Sequence, residues 1–154
     1  MDAKELEKLF KKTSQFDKTL EMDLKIIKAG EIEYSMTVSN CHLSSPTVSH
    51  GGAIAGMMDN VLGVTALSYA VTQNKLCSTV EFKINYLNPA KLGDKLTGTA
   101  QIDYIGKRLV VTSGFIKCGE KLIAKGMGTF NLYPMEKFKQ FAADMQVDHD
   151  HEDI

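Results

Sequence analysis

Ser49-His50-Gly51-Gly52-Ala53-Ile54-Ala55-Gly56-Met57-Met58-Asp59-Asn60-Val61 sets a glycine-opened helix start and one carboxylate on the same apolar helix. A helix N-terminus carries unpaired N–H groups and a partial positive charge, which suit an oxyanion or a polarised carbonyl. Asp59 follows Gly52 by nearly two turns, so it lies below Gly52 and roughly 10 Å further along the axis. A carboxylate in apolar surroundings is costly to bury without a partner, so a chemical role is expected for Asp59. From Ala53 to Val71 the run is apolar nearly all round, with Gly52, Ala55, Gly56, Asp59, Gly63 and Ala66 on one side. Such a helix is buried, and its small-residue side admits close approach of another backbone.

On either side of this helix the hydrophobic period changes to two. Upstream, Ile32, Tyr34, Met36 and Val38 alternate with Glu31, Glu33, Ser35 and Thr37. With Leu24–Lys28 and a turn at Ala29-Gly30 this predicts an antiparallel hairpin, half buried. A polar loop, 39–49, then delivers the chain to the helix. Downstream, Val80, Phe82, Ile84 and Tyr86 alternate with Thr79, Glu81, Lys83 and Asn85. A second alternating run spans 95–104. Turns at Ile105-Gly106-Lys107-Arg108 and Cys118-Gly119-Glu120-Lys121 lead into strands Leu109–Cys118 and Leu122–Tyr133, the signature of consecutive hairpins.

Leu6, Leu9, Phe10, Thr13 and Phe16 keep helical spacing among charged residues, which predicts an amphipathic helix over 3–17. Phe138, Phe141 and Met145 predict a C-terminal helix, followed by a frayed tail to 154. The expected organisation is one domain: N-terminal helix 3–17, core 22–133, C-terminal helix and tail 134–154. The fold class is α+β, an antiparallel sheet of five or six strands against one long central helix. Sheet edges and the small-residue helix side would be poorly covered in a lone protomer, so a dimer that continues the sheet is expected.

A length of 154 residues, 44% hydrophobic and 24% charged, suits a soluble globular domain. A net charge of −1 excludes a whole-chain bias towards nucleic acid or anionic membrane, so an anionic ligand has to meet a local basic patch. Asp59-Asn60 in the middle of the apolar helix and the strand-rich remainder argue against a membrane span. Cys41, Cys77 and Cys118 show no CxxC or Cys/His spacing, so no metal site is expected and the thiols read as reduced. Met1-Asp2-Ala3-Lys4-Glu5 runs into no apolar signal-like segment, and a cytoplasmic location is expected.

His50-Gly51-Gly52, then Asp59, then Tyr86-Leu87-Asn88-Pro89-Ala90-Lys91-Leu92-Gly93-Asp94, then Gly106-Lys107 occur in this order. Together they resemble the hotdog-fold acyl-CoA thioesterases of the PaaI-like branch, over about Glu33 to Tyr133. The resemblance implies a hotdog fold, in which the sheet wraps the central helix, and hydrolysis of acyl- or aryl-CoA. It implies that the Gly51 N–H, with help from His50, polarises the thioester carbonyl. Asp59 would reach the same carbonyl from the other protomer, as general base or nucleophile, and Thr79 would orient water. Ser44 stands where many relatives carry Asn, and offers a hydrogen bond of shorter reach. Tyr86, Asn88, Pro89, Lys91, Gly106, Lys107 and Arg108 would line the coenzyme A channel. Lys91, Lys107 and Arg108 would face phosphates, and the apolar flank of the helix would hold the acyl chain. The resemblance further implies no metal or redox cofactor, coenzyme A entering as part of the substrate, and a homodimer assembling to a homotetramer. Two other readings stay open: a non-catalytic acyl-CoA-binding hotdog protein, and a hotdog hydratase or dehydratase. The latter needs a histidine opposite Asp59, and His42 is the remaining candidate.

Overall fold

The computed structural model describes residues 1–136, so the expected C-terminal helix and tail, from 137 onwards, lie outside the described residues. The chain opens with helix α1, Ala3–Thr13, started by a capping box in which Asp2 and Glu5 satisfy each other's backbone N–H. The single helix expected over 3–17 is broken at Ser14, whose extended backbone (φ −70°, ψ 100°) ends α1 and caps α2, Gln15–Thr19. Serine competes with the helix through its own hydroxyl: Ser14 Oγ donates to Asp17 Oδ1 at 2.7 Å.

Strands β1, Met22–Lys28, and β2, Glu31–Thr37, form the predicted hairpin. The long helix α3 runs Gly51–Ala70 and is followed by β3, Lys75–Tyr86; β4, Lys95–Ile105; β5, Leu109–Cys118; and β6, Lys121–Pro134. All six strands join one antiparallel sheet in the order β1-β2-β4-β5-β6-β3, and α3 packs against every one of them, least against β1. This is the sheet-around-helix architecture of the hotdog fold. β3 starts four residues before the alternating pattern does, because Asn74 adopts a left-handed turn (φ 54°) that ends the helical segment there.

Met57, Met58, Val61 and Leu62 on α3 are fully enclosed, each contributing about 1.5–3 kcal/mol through burial. The sheet makes room for them with glycines: a Cβ at Gly98 would stand 2.4 Å from a Val61 methyl, and one at Gly126 would stand 2.8 Å from Met58 Sδ. Among the described residues of one protomer, no other backbone lies against Gly56 or Gly63 on the small-residue side of α3. Side chains fill it: Phe16 and Leu20 rest on Gly56, and Phe130 rests on Gly63. Gly51–Gln73 is long and apolar enough to cross a membrane, yet 61% of its most apolar window is buried inside this fold. It is the core helix.

The two outer strands differ. At β1 the outward Ile26 N–H donates to Glu7 Oε2 at 2.7 Å, which holds the Glu7 carboxyl below its usual range. Lys11 then bridges Glu7 (3.2 Å) and Asp23 (3.3 Å) over the same edge. At β3 no strand pairs with the outer edge among the described residues, and Val80 and Tyr86 are 58% and 54% exposed.

Candidate active site

At the start of α3, His50 is the cap residue. Its extended backbone points the imidazole back over the helix, and Nδ1 accepts the Gly52 N–H at 2.7 Å. In the neutral ring the proton therefore sits on Nε2, which is left as a donor. Gly52 is required for this geometry, since a Cβ there would lie 2.9 Å from Nδ1. The His50 N–H donates to the His42 carbonyl at 2.6 Å, fixing the entry of the loop into the helix. Among the described residues no acceptor stands against the Gly51 N–H. Tyr86 Oη donates to the Gly51 carbonyl at 2.9 Å, and a cavity of about 320 Å³ opens here between Gly51, Ile54, Tyr86, Asn88, Pro89 and Ile123. Its rim is held by Asn88 Nδ2 donating to the Leu122 carbonyl (2.8 Å) and Lys121 Nζ donating to the Pro89 carbonyl (3.2 Å).

Asp59 sits two turns down the helix, half-buried, in a second and smaller cavity of about 160 Å³. Thr79 Oγ1 donates to its Oδ1 at 3.1 Å. Simple alternation places Thr79 on the same face as Glu81 and Lys83, away from the helix. A β-bulge reverses this: Thr79 pairs with Phe130 and Glu81 with Thr129, leaving Val80 as the extra residue. Cys77 and Thr79 therefore face α3 before the bulge, and Phe82, Ile84 and Tyr86 face it afterwards. Cys77 also walls this cavity, and its thiol is pushed up to about 12, by burial first and the Asp59 carboxylate second. It is a neutral thiol, not a nucleophile.

Behind Asp59 lies a network the sequence reading missed. The buried Asp17 carboxylate accepts from Tyr34 Oη (2.8 Å), Asn60 Nδ2 (2.7 Å) and Ser14 Oγ (2.7 Å). It ties α2, β2 and α3 together one residue from Asp59. The Tyr34 hydroxyl is held strongly protonated, by burial chiefly and by Asp17 beside it. The only local signal was Ser14 three residues before Asp17, a helix-start spacing.

Other singled-out residues divide between the two ends of the sheet. Lys91 is exposed near the Gly51 end, where its N–H donates to Asp94 Oδ2 at 2.9 Å. Ser44 is also exposed, and its hydroxyl donates to Val48 O (3.4 Å) within its own loop. The turn carrying Gly106, Lys107 and Arg108 lies at the other end: Lys75 Nζ donates to Lys107 O (3.4 Å) and Leu132 N–H to Arg108 O (2.7 Å). Lys75 and Tyr86 are the two ends of β3, roughly 36 Å apart along the strand. One protomer thus brings together Gly51, His50, Tyr86, Asn88 and Pro89 at one end, and Asp59 with Thr79 towards the other. His42 joins neither. It is buried, with Nδ1 accepting from Ser39 N–H (2.9 Å) and Nε2 donating to Leu20 O (2.8 Å). Both nitrogens are engaged, so His42 offers no acid/base group to a hydratase, and no lone pair to a metal beside its neighbours Glu21 and Cys41.

Comparison with known proteins gives a consistent result. The family model described as the thioesterase superfamily matches residues 47–124. Acyl-coenzyme A thioesterase 13 of Homo sapiens is 30% identical over 132 residues, spanning 84% of this chain and 93% of its own. Among solved structures, the PaaI protein of E. coli, from the phenylacetic acid degradation operon, superposes with a TM-score of 0.73 at 23% identity, covering 84% of this chain and 91% of its own. A thioesterase protein of Streptococcus pneumoniae solved with coenzyme A gives 0.72 at 22% identity, over 81% and 97%. These two show the shared fold.

Proposed function

The chain belongs to the thioesterase superfamily, and from that premise we propose that it hydrolyses acyl-coenzyme A to a free carboxylic acid and coenzyme A. The observation that carries the reading is the pair of prepared groups on α3. One is the Gly51 N–H, aimed outward at a helix N-terminus with no acceptor among the described residues; the other is the Asp59 carboxylate, oriented by Thr79. The first stabilises negative charge on a carbonyl oxygen; the second takes a proton or attacks carbon.

The two groups are about 12 Å apart along the helix, too far to serve one carbonyl. A second copy resolves this. If the bare β3 edges of two protomers pair antiparallel about a two-fold axis, the Tyr86 end of one strand meets the Thr79 end of the other. Gly51 and Tyr86 of one protomer then face Asp59 and Thr79 of its partner. In the general-base route, water oxygen bonds to the thioester carbon while the Asp59 carboxylate takes its proton. The resulting oxyanion is held by the Gly51 N–H, with His50 Nε2–H beside it. Collapse breaks the C–S bond, and the thiolate leaves and regains a proton. In the nucleophilic route a carboxylate oxygen of Asp59 attacks first and water hydrolyses the anhydride. Either route needs water alone as co-reactant. Tyr86, Asn88 and Pro89 shape the mouth through which the thiol arm enters. Lys91 on one protomer, with Lys107 and Arg108 on the other, supplies positive charge for the phosphates.

The test is thiol release from a panel of acyl- and aryl-CoAs, followed by mixing of two inactive variants. Proline is tolerated at the first position of a helix, and His50 already has the extended backbone that precedes proline. Gly51→Pro therefore removes one N–H and little else. Gly51→Pro and Asp59→Asn should each abolish turnover, and co-folding the two should restore roughly a quarter of wild-type activity by random pairing of protomers. No restoration, with mixed dimers present, would place both groups of a working site in one chain and overturn the arrangement.

A further inference from the structure

The small cavity at Asp59 shares three walls, Phe10, Leu67 and Cys77, with a larger groove of about 450 Å³ that runs beneath α1. The groove continues over Leu6, Leu9, Leu76 and Tyr133, and among the described residues no acidic or basic side chain lines it. Leu9 stands at its open side, 44% exposed, on a helix whose other face is charged. A rigid aryl group would occupy the Asp59 cavity and leave this groove wet. A flexible alkyl chain would fill both.

The lengths agree. At the helical rise, Leu67 lies about 12 Å and Val71 about 18 Å beyond Asp59. With ordinary C–C bonds an extended alkyl chain advances about 1.25 Å per carbon. About ten carbons therefore reach the junction at Leu67, and about fourteen reach the far wall at Val71. We infer that the groove beneath α1 receives the distal part of a fatty acyl chain, so that the substrate is a straight-chain acyl thioester of about ten to fourteen carbons. Phe10 and Leu67 form the neck through which the chain passes, and Leu9 and Tyr133 close over its end. This rests on the thioesterase reading, because Asp59 is taken as the reacting end. Each methylene that leaves water in the groove strengthens binding about fourfold, so kcat/KM should climb with chain length until the far wall is met.

The chain contains no tryptophan, so Leu9→Trp installs a single fluorophore at the groove. Titration with the non-hydrolysable S-tetradecyl-CoA thioether, below its micelle concentration, should shift the emission to the blue and saturate; S-butyl-CoA thioether should not. In the otherwise unaltered chain, Leu67→Trp plugs the neck. It should lower kcat/KM for dodecanoyl- and tetradecanoyl-CoA at least tenfold more than for butanoyl-CoA. Emission unmoved by the tetradecyl thioether would overturn the inference, whatever the enzyme's activity. So would an emission shift that follows protein concentration alone, which would assign the groove to a second copy of the chain. A Leu67→Trp effect equal at every chain length would overturn it as well. A saturable tetradecyl shift in a protein that releases no thiol from any acyl-CoA would support the groove and sink the hydrolysis reading instead.

Discussion

Thr79 Oγ1 donates to Asp59 Oδ1 across 3.1 Å, joining the first half of β3 to the middle of the core helix. The bond fixes one carboxylate oxygen and leaves the other for chemistry. Asp59→Asn retains the acceptor and the volume, so folding and assembly should be unchanged. Turnover should fall by about 10² to 10⁴, the range typical of a lost acid or base. Thr79→Val should cost about tenfold, one hydrogen bond's worth, and Thr79→Ser should recover most of it. Steady-state thiol release measured beside the melting temperature separates the two effects.

The cap at His50 is tested by a pair of substitutions with opposite signatures. Gly52→Ala puts a Cβ 2.9 Å from Nδ1, so the imidazole is displaced and the helix loses a cap of about 1 kcal/mol. A lower melting temperature is expected. His50→Asn restores a good capping side chain but removes the Nε2–H donor. It should therefore melt like the wild type and show reduced kcat/KM. Equal activity in His50→Asn and wild type would confine His50 to capping.

The Asp17 network should behave as a structural clamp. Tyr34→Phe removes one of three donors from a buried carboxylate, an imbalance that costs about 1–3 kcal/mol. Urea unfolding should show a lower midpoint with an unchanged slope.

Cys77 gives an alkaline signature. Folding holds its proton to about pH 12, whereas the ordinary cysteine value is 9.0. The unfolded chain therefore releases that proton first, and the contribution to stability is complete below about pH 9 and lost between 9 and 12. Tyr34 acts in the same direction. Denaturation followed from pH 8 to 11 should fall less steeply in Cys77→Ala than in wild type. At pH 8, iodoacetamide should label the exposed Cys41 well before Cys77.

The architecture was legible because its signals are local. A twenty-residue apolar helix flanked by period-two segments with glycine turns leaves few alternatives. Gly51 and Asp59 were legible for the same reason, since helical geometry fixes their separation. Thr79 was not placed by periodicity, because one unpaired valine reverses the phase of β3 and valine is an ordinary strand residue. The Asp17 network was hidden for a different reason. Residues 17, 34 and 60 meet only through tertiary packing, and nothing in their local sequence announces a partner. The break at Ser14 falls between these cases: a capping residue was present, but helical spacing continued across it to Phe16.

The guarded edge of β1 has a consequence for how large an assembly can become. A sheet with two open edges adds copies at both ends and runs on into a fibre. Here the Glu7 carboxylate occupies the Ile26 N–H, and Lys11 lies across the same flank. Growth has one door. If two chains pair through β3, as proposed, each turns its β1 side outward, and a joined sheet of twelve strands would stop itself.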